Sequence, residues 1–291
     1  MISPINSGIA GFTLAASNAC GVRDKKDELA LFLVEQNLDV ALISETWLRP
    51  VDSLRFPNYC TYRADRLTGR NGGVAVLVKK NLHHRPLYVS GLHFVEAVGI
   101  EISIRGLGPL KVFSVYAPPG RDCDWTDLDL LLSADAPALA AGDFNAKHRS
   151  WGCRVANGYR GKLFDYLSTI PVSLHSPNAP TFFRPGVNGY GGKLFDYLST
   201  IPVSLHSPNA PTFFRPGVRP DILDIAISKN IPTILEVQVL AVLAELSSDH
   251  TILSSFPLGL GVDRPTTPLF AMLIGGPSTV QNQTSNVWNG G

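Results

Sequence analysis

Three apolar runs in this chain each lead into a carboxylate. Asp39 to Ser44 runs into Glu45, Ala136 to Ala141 runs into Gly142-Asp143-Phe144-Asn145, and Leu235 to Leu243 is followed by Ser248-Asp249-His250. Short apolar runs bounded by turn residues read as buried strands. Side chains alternate along a strand, so Asp143 and Asn145 are expected on one face, at the rim of a sheet. Three strand ends that deliver carboxylates, an amide and an imidazole predict a single site for a divalent metal and a phosphate.

The rest of the pattern fills in two sheets with helices outside them. Phe12 to Ala16 is a short apolar run ending at Asn18. Lys25 to Gln36 carries Leu29, Phe32 and Leu33 at helical spacing. Val74 to Val78 is a strand opened by Gly72-Gly73. Ala97 to Ile104 and Leu110 to Tyr116 flank the turn Arg105 to Pro109 and read as a hairpin. Asp127 to Leu132 reads as a short helix, and Ile222 to Ile227 and Leu235 to Val242 as strands. Many strands with a few interspersed helices predict two packed sheets with helices on their outer faces.

Apolar residues make up 45% of the chain, enough for a real core, and no apolar run reaches the roughly 20 residues a membrane helix requires. Met1 to Ala16 lacks a basic segment and does not read as a signal peptide. Cys20, Cys60, Cys123 and Cys153 lie far apart with no CxxC pair, which fits reduced thiols in an intracellular protein. The net charge of +1 does not by itself announce a nucleic-acid partner. Local basic clusters occur at Lys25-Lys26, at Arg63 with Arg66 and Arg70, at Lys79 to Arg85, and at Lys147 to Arg149; on a shared face they would contact phosphates.

Asn157 to Val187 and Asn188 to Val218 are adjacent copies that differ only at Arg160 versus Gly191. Two units are too few for a solenoid. The pair reads as a recent tandem duplication or an assembly error inside one domain, 12–256, followed by a tail, 257–291, rich in Gly, Pro, Ser, Thr and Asn and of low order. Each copy holds a helix signal (Lys162 to Leu167, Lys193 to Leu198) and a Pro-Thr-Phe-Phe strand signal. The expectation is a hybrid: the first copy's helix, the second copy's strand at Pro211 to Phe214, and a surface excursion from Pro171 to roughly Tyr197.

Several stretches together carry a family resemblance: Asn18 to Leu29 (NACGVRDKKDEL), Asp39 to Leu48 (DVALISETWL), Asp65 to Val78 (DRLTGRNGGVAVLV), Val112 to Pro119 (VFSVYAPP), Gly142 to Gly152 (GDFNAKHRSWG), Arg219 to Ile227 (RPDILDIAI) and Glu245 to Ile252 (ELSSDHTI). The chain resembles the endonuclease/exonuclease/phosphatase superfamily with the DNase-I-like fold. More narrowly, it is similar to the apurinic-type endonuclease domain of jockey-like non-LTR retrotransposons. The resemblance implies a four-layer α/β sandwich of two mostly antiparallel sheets flanked by helices. It implies a magnesium-dependent endonuclease, with manganese as the alternative ion, that nicks DNA by phosphodiester hydrolysis as in target-primed retrotransposition.

Roles follow residue by residue. Glu45 and Asp249 are the expected metal ligands, since magnesium takes oxygen donors and keeps several waters. Asp143 orients or deprotonates the attacking water, and Asn145 donates to a phosphate oxygen. His250 meets the scissile phosphate with Asp224 holding its ring. Tyr116 matches the phosphate-facing Tyr, and Asn18 the first-strand Asn. The pattern departs at Ser17, commonly aromatic or Gln in relatives, and at Cys20, commonly Asn or Asp; a thiol is a poor magnesium ligand. Two alternatives accompany this reading: a phosphatase or phosphodiesterase of the same superfamily, or a catalytically decayed retroelement relic. The expected partner is DNA, with no membrane contact, acting as a monomer inside the cell, in the nucleus if chromosomal DNA is the target. No reverse transcriptase sequence is present in these residues.

Overall fold

The computed structural model describes residues 12–68, 71–105, 108–119, 125–132, 136–147, 163, 166, 173–175, 203–206, 213–215, 218–221, 223–231, 236–240, 252–256 and 261–262. In chain order the first strands are β1 (Leu14–Asn18), β2 (Val40–Ser44), β3 (Tyr59–Ala64), β4 (Val74–Lys79), β5 (His84–Leu87), β6 (Glu96–Arg105), β7 (Gly108–Tyr116) and β8 (Ala138–Asp143). They continue as β9 (Ser173–His175), β10 (Val203–His206), β11 (Phe213–Arg215), β12 (Val218–Asp221), β13 (Asp224–Lys229), β14 (Glu236–Leu240), β15 (Ile252–Phe256) and β16 (Gly261–Val262). Helix α1 is Lys26–Glu35, preceded by a single turn of 3-10 helix at Arg23–Lys25, and α2 is Asp127–Leu131.

One sheet has six strands in the order β14-β15-β1-β2-β4-β3. The other has eight, in the order β16-β6-β7-β8-β13-β10-β9 with β5 beside β6. Pairing is antiparallel except at β1/β2, β7/β8 and β9/β10. The expected hairpin is present as β6/β7, which pair from Glu96–Tyr116 to Ile104–Gly108. β2, β4, β7 and β8 are nearly all apolar because each is covered on both faces.

Period-2 alternation then divides their side chains between two cores. Leu14, Ala16, Leu42, Val76, Val98, Val112 and Leu139 meet between the sheets. The opposite face of the six-stranded sheet, with Ala15, Ala41, Ile43 and Leu77, is covered by Leu29, Phe32 and Leu33 of α1. The opposite face of the eight-stranded sheet, with Val115, Ala140 and Ile225, is covered by Leu128 and Leu131 of α2. Short α2 is held in place by the buried Asp127, whose carboxylate accepts the backbone N–H groups of His93, Phe94 and Val95. The result is the four-layer sandwich.

The duplicated region departs from the expected hybrid. β9 and β10 are the same stretch of the two copies, Ser-Leu-His, and they lie side by side in parallel: Ser173 pairs with Ser204, Leu174 with Leu205 and His175 with His206. The excursion therefore does not begin at Pro171. An identical segment carries identical pairing preferences, and the open edge of β10 accepts it as one more strand. In the second copy, Phe213–Arg215 pairs with β12 in a small separate sheet. In the first, Leu163 is buried in the α2 core with Tyr166 packed against it. Lys193 to Leu198 and Pro180 to Phe183 lie outside the described residues. From the tail, Gly261–Val262 pairs with Ile104–Arg105 at the end of β6; the rest of it is likewise outside the described part.

Candidate active site

Alternation places the last residues of several inward-facing rows at one end of the sandwich. On the eight-stranded sheet, Glu96 pairs with Tyr116, Tyr116 with Asp143, and Asp143 with Asp224. Residues in register across a sheet share a face, so these four form one row along the rim of the inner face. Asp143 and Asp224 are buried, and two carboxylates directly opposite each other repel unless donors or cations intervene.

Asp143 has such donors. The backbone N–H of Asn145 donates to its Oδ1 at 2.7 Å, and the Asn145 side-chain amide donates to Oδ2 at 2.9 Å. Asn18 Nδ2, from the other sheet, donates to the same Oδ2 at 2.9 Å. Asp143 and Asn145 thus meet, but not through strand alternation. The strand ends at Asp143, and Asn145 takes a left-handed backbone (φ 49°) that folds its side chain back. Asn tolerates that conformation better than most residues. The Asn145 amide also donates to Ala117 O at 3.2 Å, so any contact with a phosphate oxygen would exchange one of these partners.

The six-stranded sheet contributes Asn18 and Glu45. Asn18 ends β1 fully buried, and its amide orientation is fixed because Oδ1 accepts the Cys20 backbone N–H at 2.9 Å. Nδ2 then faces two carboxylates, Glu45 Oε1 at 3.2 Å and Asp143 Oδ2. Glu45 follows the last residue of β2 with φ 51°, a left-handed step that turns its side chain to the rim. Its second oxygen, Oε2, accepts the indole N–H of Trp47 at 3.0 Å.

Tyr116, buried between these groups, has its hydroxyl pKa raised, first by burial, then by the Glu45 charge and a hydrogen bond to Glu45, then by Asp143; Arg66 opposes the shift. The phenol therefore keeps its proton and serves as a donor. The Arg66 guanidinium lies 5.6 Å over the Tyr116 ring and pairs with Glu96. Glu96 in turn accepts the Gly73 N–H at 2.5 Å.

Glu45, Asn18, Tyr116, Asp143, Asn145 and Asp224 are thereby brought to one rim. Asp249 and His250 lie outside the described residues. The departures at Ser17 and Cys20 spare the donors. Ser17 points away from Asn18 toward α1, lining a small cavity with Leu29 and Ile43. Cys20 serves the site through its backbone N–H, at a left-handed position (φ 47°) where Asn or Asp would be less strained. The basic clusters separate. Arg63 and Arg66 stand near the rim, while Lys79 pairs with Asp39 at the other end of β2. Sequence reasoning missed Glu96 and Trp47 as site neighbours and placed Arg66 only in a basic cluster; the last residue of the ETW triplet and the position opening β6 were the available signals.

The donor set suits magnesium, being oxygen from carboxylates with no thiolate. Among the described residues no group of three or more His, Cys, Asp and Glu side chains gathers as a metal site. Glu45 and Asp143, bridged by Asn18, are the carboxylates at hand.

A two-sheet sandwich with carboxylates and a buried amide meeting at one rim can gather a cation and a phosphate. Residues 5–250 match the endonuclease/exonuclease/phosphatase family, and the chain belongs to it. It is 32% identical over 169 residues to the RNA-directed DNA polymerase from mobile element jockey of Drosophila melanogaster, covering 57% of this chain and 18% of that protein. It is 34% identical over 144 residues to the probable RNA-directed DNA polymerase from transposon X-element of the same species, covering 48% of this chain and 16% of that one. The chain thus spans less than a fifth of the length of these relatives. In structure it resembles the endonuclease domain of TRAS1, a telomere-specific non-LTR retrotransposon, with a TM-score of 0.60 at 15% identity over 85% of this chain and 98% of that one. It also resembles the catalytic domain of Xenopus laevis APE2, with a TM-score of 0.60 at 14% identity over 88% and 94%. These likenesses show the DNase-I-like fold. Among the described residues no helix is long and apolar enough to cross a membrane.

Proposed function

We propose that the chain is a magnesium-dependent endonuclease that nicks DNA, with the nick serving to prime reverse transcription in a retroelement. The observation that carries this reading is the Asn18 amide, which joins Glu45 of one sheet to Asp143 of the other. A buried amide that bridges two carboxylates holds them together without neutralising them, leaving their net charge for a cation. When bound, the metal would relieve charge on the phosphate and assist the leaving oxygen.

Glu45 would hold the ion, with Asp249 as the second expected ligand. Asp143, fixed at both oxygens by Asn145 and Asn18, orients the attacking water and takes its proton. Asn145 keeps Asp143 in that orientation and is the amide placed to exchange onto a phosphate oxygen. Tyr116, kept protonated, donates a hydrogen bond within the site. His250 contacts the scissile phosphate, supported by Asp224. Because the relatives are named as RNA-directed DNA polymerases, the chain would act as one part of a larger machine, in the nucleus if chromosomal DNA is its target.

A supercoiled plasmid tests the reading. The protein is expected to convert it to the nicked circle with magnesium and not with chelator. Glu45→Gln is expected to shift the magnesium titration to higher concentration; an unshifted titration removes Glu45 as ligand. Release of phosphate from a lipid phosphate, with no nicking, would favour the phosphatase alternative. Failure with both substrates would favour the decayed relic.

A further inference from the structure

Trp47 stands two residues beyond Glu45 and is hard to explain as a core residue. Its side chain is 38% exposed. Its backbone is left-handed (φ 53°), a conformation that bulky residues rarely adopt. The conformation is held in place from two sides. Trp47 N donates to Gly72 O at 2.9 Å, and Gly21 N, on the neighbouring loop, donates to Glu45 O at 2.8 Å. The ring lies flat against Gly21, where a Cβ would stand 2.6 Å from Cε3. Strain, exposure and a cleared neighbour all serve to bring the indole N–H to Glu45 Oε2 at 3.0 Å. The other oxygen, Oε1, is taken by Asn18.

We propose that Trp47 is a positioning residue that fixes the Glu45 carboxylate for metal binding by donating its indole N–H to Oε2. The inference rests on the reading of Glu45 as a metal ligand. Asn18 on Oε1 and Trp47 on Oε2, together with the hydrogen bond from the Tyr116 hydroxyl, hold the carboxylate in one rotation about its terminal bond. An ion then meets an oriented ligand and not one that must first be ordered. Burial of apolar area alone would be served as well by Leu or Phe, without the N–H.

Two variants of the full chain separate positioning from packing. Trp47→Phe keeps a ring over Gly21 and removes the N–H; Trp47→Gln removes the ring and restores a side-chain N–H donor. Manganese binding, read by titration calorimetry in the absence of DNA, is the measurement. Trp47→Phe is expected to weaken binding about tenfold, in line with the loss of one hydrogen bond to a charged group. Trp47→Gln is expected to bind more tightly than Trp47→Phe even though it melts at a lower temperature. The reverse order of affinities, or a Trp47→Phe variant that binds as the parent does, overturns the proposal. Glu45→Gln is the control. If it binds manganese as tightly as the parent, or if the parent binds none, Glu45 is not the ligand and both readings fall. If Glu45→Gln alone loses binding, only the role of Trp47 falls.

Discussion

On the rim of the eight-stranded sheet, Glu96, Tyr116, Asp143 and Asp224 stand in one cross-strand row; on the rim of the six-stranded sheet, Glu45 is reached only after β2 has ended, through a loop with left-handed residues at Glu45 and Trp47. The first rim is built by register. Its residues are placed by the same ladder that builds the core, and they move only if the sheet moves. The second rim is built by loop backbone and side-chain hydrogen bonds, from Asn18 and Trp47 to Glu45. The two rims therefore differ in what places them: strand register on one, loop backbone and side-chain hydrogen bonds on the other.

The largest test of this contrast is chemical. Asp143→Asn keeps the shape of the fixed rim and removes its proton acceptor. Nicking is expected to fall by about a hundredfold to ten-thousandfold, assayed at a temperature where the variant is folded, because the new amide N–H group faces donors that Asp143 accepted and lowers the melting temperature. A variant that nicks plasmid at the parent rate would take Asp143 out of its role.

Next in size is a pair of glycines. Gly142 has φ 148°, and a Cβ there would stand 2.1 Å from the Val115 carbonyl oxygen, backbone in the paired strand β7. Gly21 has φ 88°, but its added Cβ would meet the Trp47 ring, a side chain that can turn aside. Gly142→Ala is therefore expected to cost about 3 kcal/mol or more, and Gly21→Ala about 1–2 kcal/mol, in urea unfolding. Equal costs would mean that the two rims are equally rigid.

The smallest effect concerns alkaline pH. Burial, and then the Asp39 charge, push the Tyr59 hydroxyl up to about 12 from an ordinary value of 10.0. The unfolded chain loses this proton near pH 10 and the folded one only near pH 12, so the stability it contributes is full below 10 and lost as pH rises to about 12. Tyr116, on the other sheet, shifts in the same direction. Stability is expected to decline over this window, and Tyr59→Phe is expected to flatten the decline in part, with Tyr116 and Tyr62, both shifted upward, contributing to the remainder. An unchanged slope in Tyr59→Phe would remove Tyr59 from the effect and leave it to Tyr116 and Tyr62.

Most elements were legible from period alone. The run Asp39 to Ser44 holds β2, Val40–Ser44, and Leu29, Phe32 and Leu33 are the buried face of α1. The pairing of Asp143 with Asn145 was foreseen for the wrong reason, because alternation stops where the strand does and a turn takes over. Trp47 and Glu96 escaped notice, and Arg66 was noticed only as one member of a basic cluster, because none sits in a telling rhythm; their importance comes from neighbours distant in sequence. The copies at 157–187 and 188–218 were legible as a repeat, but their parallel pairing through β9 and β10 was not.

Local chemistry therefore determined what each segment of this chain is. Apolar runs of strand length, glycine at positions where no side chain fits, and polar residues where strands stop are all written in short stretches of sequence. Tertiary structure decided which segments meet. The row from Glu96 to Asp224 depends on the relative register of four strands, and the Asn18 bridge depends on the stacking of two sheets. Both are set by the collective packing of the inner core, in which each strand's place is fixed only by all the others.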